Sequence, residues 1–235
     1  MNWPALCAAV IPCLNEETTV GSLVSGTRDH LSTIIVVDDG STDKTSEAAE
    51  RAGAHVLRNP STAGKGAALR EGWSFALKSG FSWALSLDGD GQHAPEDIPA
   101  FFDCAERRSP SLIVGNRMNG ASSMPWFRRL VNRWMSARIE QLTGAPVPDS
   151  QCGFRLMRLD SWAAHPGNTH HFEIESEVLV RFLLQKLPVE FVPIQVIYKN
   201  EQSKIHPLQD SLRWFRWWRQ ARELQREAAS SSVAR

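Results

Sequence analysis

The stretch TIIVVDDGSTD, residues 33–43, decides the fold. Residues 33–37 are β-branched without a break, as in a strand that is buried on both faces of a parallel sheet. Polar residues follow at once, and a helix is predicted from Thr42 to about Ala52. The stretch therefore predicts a strand, a polar loop at its carboxyl end and a helix.

The same unit repeats through the first half of the chain. Hydrophobic runs predict further strands at residues 6–11, 55–57, 83–87 and 112–114. Helical patterns lie between them at residues 15–24 and 66–78 and from Pro95 onward. Repeated strand–helix units with short connections indicate an α/β fold with a doubly wound, mostly parallel sheet.

The second half is less regular. It predicts helices over residues 126–142 and 172–186 and a strand over 189–197, with no repeat and no linker that would divide domains. We expect one domain over residues 1–205, a helix rich in Trp and Arg over 206–228, and a flexible tail over 229–235.

Composition excludes several classes of protein. Of the 235 residues 42% are hydrophobic and 22% charged, a balance that excludes wholesale disorder. Lys plus Arg (26) equals Asp plus Glu (26), so no net field favours nucleic acid as a partner. Neither a signal peptide nor an apolar run of about 20 residues is present. The four cysteines lack C-x-x-C spacing, which predicts a cytoplasmic protein without a thiolate metal site.

Polar residues concentrate where three predicted strands end. In open α/β sheets ligands bind beyond the carboxyl ends of the strands. Asp88 and Asp90 flank Gly89, so both carboxylates can turn toward one point, and their oxygens suit Mg²⁺ or Mn²⁺. An EF-hand is excluded because His93 and Pro99 stand where it needs glycine and glutamate. The alternative is a solvated acidic turn.

Two further segments carry candidate ligand contacts. Asp38 and Asp39 are adjacent carboxylates that repel each other, and a ribose or base with donors to Asp39 would relieve that repulsion. Residues 59–66 lack the glycine and hydroxyl positions of a P-loop. Their glycines would instead let the backbone approach a ligand beside Lys65, unless they form a plain turn.

Together these segments resemble a known family. The runs VIPCLNEE (10–17), VDDGSTD (37–43) and DGDGQH (88–93) are similar to the GT-A-fold inverting glycosyltransferases of family two. A second set of motifs narrows the resemblance to the dolichyl-phosphate mannose synthase and dolichyl-phosphate glucosyltransferase subgroup. It comprises GNR (115–117), DSQCGFR (149–155), EIE (173–175), VPI (192–194) and SK (203–204). The resemblance covers about residues 6–205.

The resemblance implies roles for individual residues. The nucleotide's base and ribose would contact Pro12, Leu14, Glu16, Val37 and Asp39. The metal and diphosphate would contact Asp88, Gly89, Asp90 and Gln92, with Lys65 and Lys204 nearby. Arg117 would lie beside the sugar diphosphate or the acceptor phosphate. The family commonly has an aromatic residue at the position of Leu14, so the choice of nucleotide stays open.

The implied reaction is in-line displacement at the anomeric carbon of a nucleotide-diphosphate sugar, with Mg²⁺ or Mn²⁺ stabilising the leaving diphosphate. A lipid phosphate acceptor is already ionised and needs arginines, whereas a sugar hydroxyl needs a carboxylate base, Asp149 or Glu175. Catalytic roles are thus expected for Asp90, Asp149 and Arg117. Contacts to an acceptor phosphate are expected for Arg117, Arg129 and Arg133.

The C-terminal helix suggests a membrane surface. On a helical wheel one face collects Trp214, Trp217, Trp218, Ala221 and Leu224. Arginines fall mostly opposite, an arrangement that suits the headgroup plane of a bilayer. Packing of this face on its own domain is the alternative.

We therefore predict a metal-dependent glycosyltransferase that moves a hexose from a UDP- or GDP-linked sugar to a polyprenyl phosphate at the cytoplasmic face of the membrane. Three alternatives stay open: transfer to a soluble acceptor, a nucleotide-sugar binding module without catalysis, and a nucleotidyltransferase. His93, His170 and His171 are assigned no metal, because no third ligand stands at useful spacing.

Overall fold

The computed structural model describes residues 1–118, 124–197 and 207–233, with side chains in the last segment from 213 to 226. Within these ranges the strands form one sheet. They are β1 (Cys7–Cys13), β2 (Ile34–Asp38), β3 (His55–Arg58), β4 (Trp83–Ser86), β5 (Leu112–Asn116), β6 (Arg155–Arg158) and β7 (Val189–Pro193). The predicted α/β class with a mostly parallel sheet is confirmed.

The strand order is β3-β2-β1-β4-β6-β5-β7. All pairs are parallel except those of β6, which runs antiparallel to both β4 and β5. Strands β1, β2 and β4 are buried along their whole length, which explains their continuous apolar sequence. Because these three are adjacent and parallel, their polar carboxyl ends meet at one edge of the sheet.

Helices cover the sheet. In chain order they are α1 (Trp3–Leu6), α2 (Val20–Arg28), α3 (Thr45–Arg51), α4 (Lys65–Lys78), α5 (Ile98–Arg108), α6 (Trp126–Thr143), α7 (Leu159–Ala164), α8 (Ile174–Leu184) and α9 (Pro207–Val233). A 3₁₀ turn at Pro95–Asp97 leads into α5. The predicted helix at 15–24 begins only at Val20, because Asn15 has a left-handed φ of 53° and bonds to the neighbouring loop instead.

Sequence patterns missed β6, α7 and α1. Strand β6 begins and ends in arginine, so its four residues lack a strand pattern. Arg155 is nevertheless buried, since its guanidinium donates to the carbonyls of Ser150, Cys152 and Glu175. The edge strand β7 ends at Pro193 rather than at the predicted residue 197.

Helix α9 packs on the domain and extends to Val233, beyond the predicted end at residue 228. Trp214, Trp217 and Ala221 are buried, and the Trp214 indole donates to Ser176 Oγ on α8 at 3.2 Å. The expectation that this tryptophan face lies in a membrane is therefore corrected: two of its tryptophans fill the protein interior. Across the described ranges no helix combines the length and the apolar content that a membrane crossing needs.

Candidate active site

Three loops meet at the carboxyl edge of β2, β1 and β4. The Asp39 amide donates to the Cys13 carbonyl at 2.8 Å, which joins the ends of β2 and β1. The Thr19 hydroxyl, in the loop after β1, donates to the Gly89 carbonyl at 2.7 Å. This bond joins the loop after β4 to the other two loops. A side chain at Gly89 would place its Cβ 2.6 Å from Cys13 Sγ, so this close approach requires glycine. The sequence prediction that these polar segments lie together is confirmed.

The two carboxylates after β2 are hydrogen-bonded by donors of the chain itself. Asp39 is buried, and it accepts hydrogen bonds from the Ala63 and Gly64 amides, both at 2.8 Å. Asp38 is fully buried, accepts from the Ser41 amide at 2.8 Å and bonds the Ser46 hydroxyl. The prediction that this pair needs a bound ligand to relieve its repulsion is wrong, since the donors come from the chain itself.

The loop after β4 is different. Lys65 Nζ, at the start of α4, lies 2.6 Å from Asp88 Oδ1 and 2.6 Å from Glu175 Oε1. Burial works against both charges, but the ion pair outweighs it: the pKa of Asp88 falls to about 2, chiefly through Lys65, and the pKa of Lys65 rises through the two carboxylates. Lys65 thus holds Asp88 ionised.

Asp90 lies in the same turn without such a cation. Burial and the charge of Asp88 raise its pKa, and one oxygen accepts the Gln92 amide at 3.0 Å. In the described part of the chain Asp90 forms no ion pair within 4.0 Å. A second cation at this point would relieve the repulsion between Asp88 and Asp90.

These carboxylates fit a divalent metal whose other ligands come from the substrate. Among the described residues no group of three or more His, Cys, Asp or Glu is placed to enclose an ion. Mg²⁺ commonly binds through one or two carboxylates together with substrate phosphates, so Asp88 and Asp90 are sufficient as protein ligands. His93 is used otherwise, because its Nδ1 accepts the Asp88 amide at 3.1 Å and burial lowers its pKa.

Arg117 is the fixed cation of the site, and its charge acts on Asp88. Its Nε lies 2.8 Å and its Nη2 2.9 Å from the two oxygens of Asp149, a bidentate pair. Asp149 is fully buried, and Asn132 of α6 donates to it at 2.9 Å. Burial opposes its charge, but Arg117 outweighs that effect and lowers the pKa of Asp149. Asp149 is thus enclosed and orients Arg117, and its expected role as a base stays a prediction.

The two other predicted arginines differ from each other. Asn132 and Ser136 on α6 are buried toward the site. Arg129 stands three residues before Asn132, on an adjoining part of the helix surface. Arg133 is exposed, about 100° around the helix from Asn132. Arg129 therefore lies nearer than Arg133 to the buried face of α6, and contacts of both with an acceptor phosphate stay predictions.

The predicted nucleotide contacts are partly corrected. Val37 is fully buried and faces Gly72 of α4, so its side chain belongs to the core. Pro12, Leu14 and Glu16 lie where the three loops meet, and the Glu16 amide donates to Thr45 Oγ1 at 2.8 Å. Their contacts with a nucleotide stay predictions, and Lys204 lies outside the described residues.

The start of α4 does not present its backbone to a ligand. The Gly66 and Ala67 amides donate to the His170 carbonyl at 2.8 and 3.2 Å. Gly64, with φ of 101°, packs against residues 170–171. The expected close approach is therefore to another loop of the protein. Sequence analysis also missed Asn132, whose role depends on a contact with Asp149 that no local pattern reveals.

Comparisons with known proteins identify the family. Residues 8–163 match the family model described as "Glycosyl transferase family 2". A UDP-N-acetylglucosamine–dolichyl-phosphate N-acetylglucosaminyltransferase of Methanococcus voltae is 29% identical over 212 residues, covering 80% of this chain and 84% of the relative. A polyprenol monophosphomannose synthase of Mycolicibacterium smegmatis is 30% identical over 161 residues, covering 63% and 60%.

Solved structures show the same fold. The crystal structure of glucosyl-3-phosphoglycerate synthase from Mycobacterium tuberculosis, in complex with Mn²⁺, uridine diphosphate and phosphoglyceric acid, matches with a TM-score of 0.70. The match covers 90% of this chain and 75% of that one at 20% identity, so it informs the fold alone. The chain therefore belongs to glycosyl transferase family 2 and is a glycosyltransferase of the GT-A fold.

Proposed function

We propose that the protein transfers a hexose, with inversion, from a nucleotide-diphosphate sugar to a polyprenyl phosphate, and that it uses Mg²⁺ or Mn²⁺. The names of the Methanococcus voltae and Mycolicibacterium smegmatis relatives support a prenyl-phosphate acceptor. Support from the site comes from how its charged groups are paired.

The observation that carries the proposal is that both candidate bases are held in buried ion pairs. Asp149 is fully buried and paired with Arg117, and Glu175 is buried and paired with Lys65. A hydroxyl acceptor needs a carboxylate to take its proton, whereas a phosphate is already ionised near neutral pH. Arg117, held in a bidentate grip by Asp149, presents the cation that such an acceptor needs.

Each residue then has a defined task. Lys65 keeps Asp88 ionised, and Asp88 and Asp90 would hold the cation against the diphosphate. A divalent cation bound there supplies charge stabilisation of the departing diphosphate. Arg117 positions the acceptor oxygen on the opposite side of the anomeric carbon, and attack from that side inverts the configuration.

Glu175 offers one more contact. Within the described residues its Oε2 is buried without a hydrogen-bond partner, while Oε1 binds Lys65. A buried acceptor left unpaired is costly, and a sugar hydroxyl would satisfy it. We therefore assign Glu175 to the hexose rather than to proton transfer.

The proposal is tested by incubating the purified protein with Mn²⁺, a labelled UDP- or GDP-hexose and a short, water-dispersible polyprenyl phosphate. We expect a labelled, acid-labile sugar phospholipid in the organic extract. Label only in soluble acceptors such as phosphoglyceric acid would overturn the lipid assignment. A thermal-shift screen of UDP against GDP with Mn²⁺ identifies the nucleotide, because a ligand of the folded state raises the melting temperature.

A further inference from the structure

Helix α6 exposes an apolar surface that the site does not use. Trp126, Phe127 and Leu130 are 71%, 53% and 58% exposed, and Trp134 is exposed as well. Phe215 of α9 completes the surface, with its ring 5.7 Å from that of Trp134. We call these five residues the aromatic patch. Single exposed apolar residues are ordinary, but a contiguous set of this size marks an interaction site.

The N-terminal part of α6 turns polar residues inward and apolar residues outward, whereas Ile139 and Leu142 near its C-terminus are buried as in an ordinary surface helix. Its buried side carries Asn132 and Ser136, which bond Asp149 and Ser150 of the site. Its opposite side carries apolar residues at 126, 130 and 134, four residues apart, and these are exposed. A water-facing helix normally turns such a stripe inward. The stripe therefore fits an apolar environment outside the protein.

The patch adjoins an open depression between α6 and α9. The depression has a volume of about 420 Å³. It is lined by Leu130, Val131, Trp134, Met135, Trp214 and Phe215. Aromatic rings in such a position combine an apolar body with a polar edge, which suits the boundary between lipid chains and headgroups.

The positive charge around the aromatic patch indicates which kind of partner binds there. The sequence of α6 contains four arginines and one acidic residue, Glu140, in a chain that is neutral overall. Arg133 and Arg138 flank the apolar stripe, and Arg216 and Arg219 on α9 are exposed. A second copy of the chain would bring these arginines against their equivalents, which is repulsive. An anionic surface complements them.

We propose that the aromatic patch docks the protein on the surface of an anionic lipid bilayer. This inference rests on the proposed function and deepens it, because Asn132 on the reverse of α6 contacts the carboxylate that holds Arg117. A polyprenyl phosphate embedded in that bilayer then lies close to Arg117. The docking face is thus α6 with Phe215, and not the buried tryptophans of α9.

The test is sedimentation of the full-length protein with vesicles of phosphatidylglycerol and phosphatidylcholine, against vesicles of phosphatidylcholine alone. The double variant Trp126→Gln/Leu130→Gln removes two exposed apolar side chains, and we expect its binding to fall about tenfold or more. Arg138→Gln tests the charge, with an expected loss of about fivefold on anionic vesicles. Arg107→Gln on α5 makes the same charge change away from the patch and should bind like the wild type.

Each outcome decides the inference. The inference is overturned if the wild type does not bind the vesicles, or if the folded double variant binds them as well as the wild type does. It is also overturned if the wild type is a dimer in solution and the double variant is a monomer. Transfer to the short, water-dispersible prenyl phosphate should be unchanged in the double variant, while transfer to a vesicle-embedded one should fall. Failure of the wild type to use any prenyl phosphate would overturn the proposed function and leave the vesicle result to stand by itself.

Discussion

The two acidic loops at the ends of β2 and β4 look alike in sequence and differ in how their charges are satisfied. Asp38 accepts donors from its own loop, and Asp39 accepts the amides of residues 63–64, which follow β3. Asp88 instead requires the ammonium of Lys65, and Asp90 has a raised pKa beside it. The first loop is therefore complete without a ligand, and the second carries charge that a cation would neutralise. Contact of Asp39 with a nucleotide stays a prediction, since a carboxylate has lone pairs enough for further donors.

Asp90→Asn should give the largest effect on activity. The substitution keeps the shape of the side chain and removes the charge that would hold the metal at the leaving diphosphate. We expect turnover to fall on the order of a few hundredfold. The measurement is the initial rate of transfer to a prenyl phosphate with Mn²⁺ at saturation. Asp103→Asn, on the exposed surface of α5, should keep the wild-type rate, and an active Asp90→Asn variant would refute the metal assignment.

Lys65→Met tests whether the loop after β4, unlike the loop after β2, depends on a cation for its stability. It leaves Asp88 and Glu175 as neighbouring acids without their cation, and we expect the free energy of unfolding to fall by about 3 kcal/mol. Urea denaturation measures the change. Mn²⁺ with the nucleoside diphosphate should restore part of the loss, since a cation returns to the loop. No loss of stability would show that the ion pair does not hold this loop.

Asp39→Ala tests the loop that we describe as complete. The variant leaves the Ala63 and Gly64 amides without an acceptor, at an expected cost of about 2 kcal/mol in the free energy of unfolding. Under the same conditions, Mn²⁺ with the nucleoside diphosphate should restore less of that loss than of the loss in Lys65→Met. If the same addition restored the stability of both variants equally, the claim that only the loop after β4 needs a cation would be contradicted.

The smallest effect is a pH dependence of opposite sign for the two acids after β4. The pKa of Asp88 is lowered from 3.8 to about 2, so its stabilising contribution is complete above its unfolded pKa and is lost as the pH falls toward 2. The pKa of Asp90 is raised, so its ionisation weakens the fold at neutral pH, and that cost disappears as the pH falls. Without metal, Asp90→Asn should thus be slightly more stable than the wild type at neutral pH and equal to it in acid, as measured by thermal melts. A less stable variant at neutral pH would contradict the raised pKa.

The sequence predicted the elements whose signal is local. Residues 34–37 of the predicted β-branched run form most of β2, found at Ile34–Asp38. The polar loops lie together because parallel neighbouring strands end at the same edge. What it missed depends on partners far along the chain. Asp39 takes its donors from Gly64, 25 residues away, and Trp214 is buried against Ser176, 38 residues away. No window of sequence contains both partners of such contacts.

Arg117 and Asp149 show the same limit within the site. Both were predicted as functional, but only their contact shows that the carboxylate is enclosed and supports the arginine. The proposed choice of a phosphate over a hydroxyl acceptor follows from that contact, because it holds one of the two candidate bases in an ion pair.

The most direct test of the account compares a polyprenyl phosphate with the polyprenol of the same chain length as acceptors, under equal Mn²⁺ and labelled donor. The account predicts a labelled product with the phosphate and none with the alcohol, because Asp149 and Glu175 are both engaged in ion pairs. Equal or faster transfer to the alcohol would show that one of these carboxylates acts as a base, and would contradict the central claim.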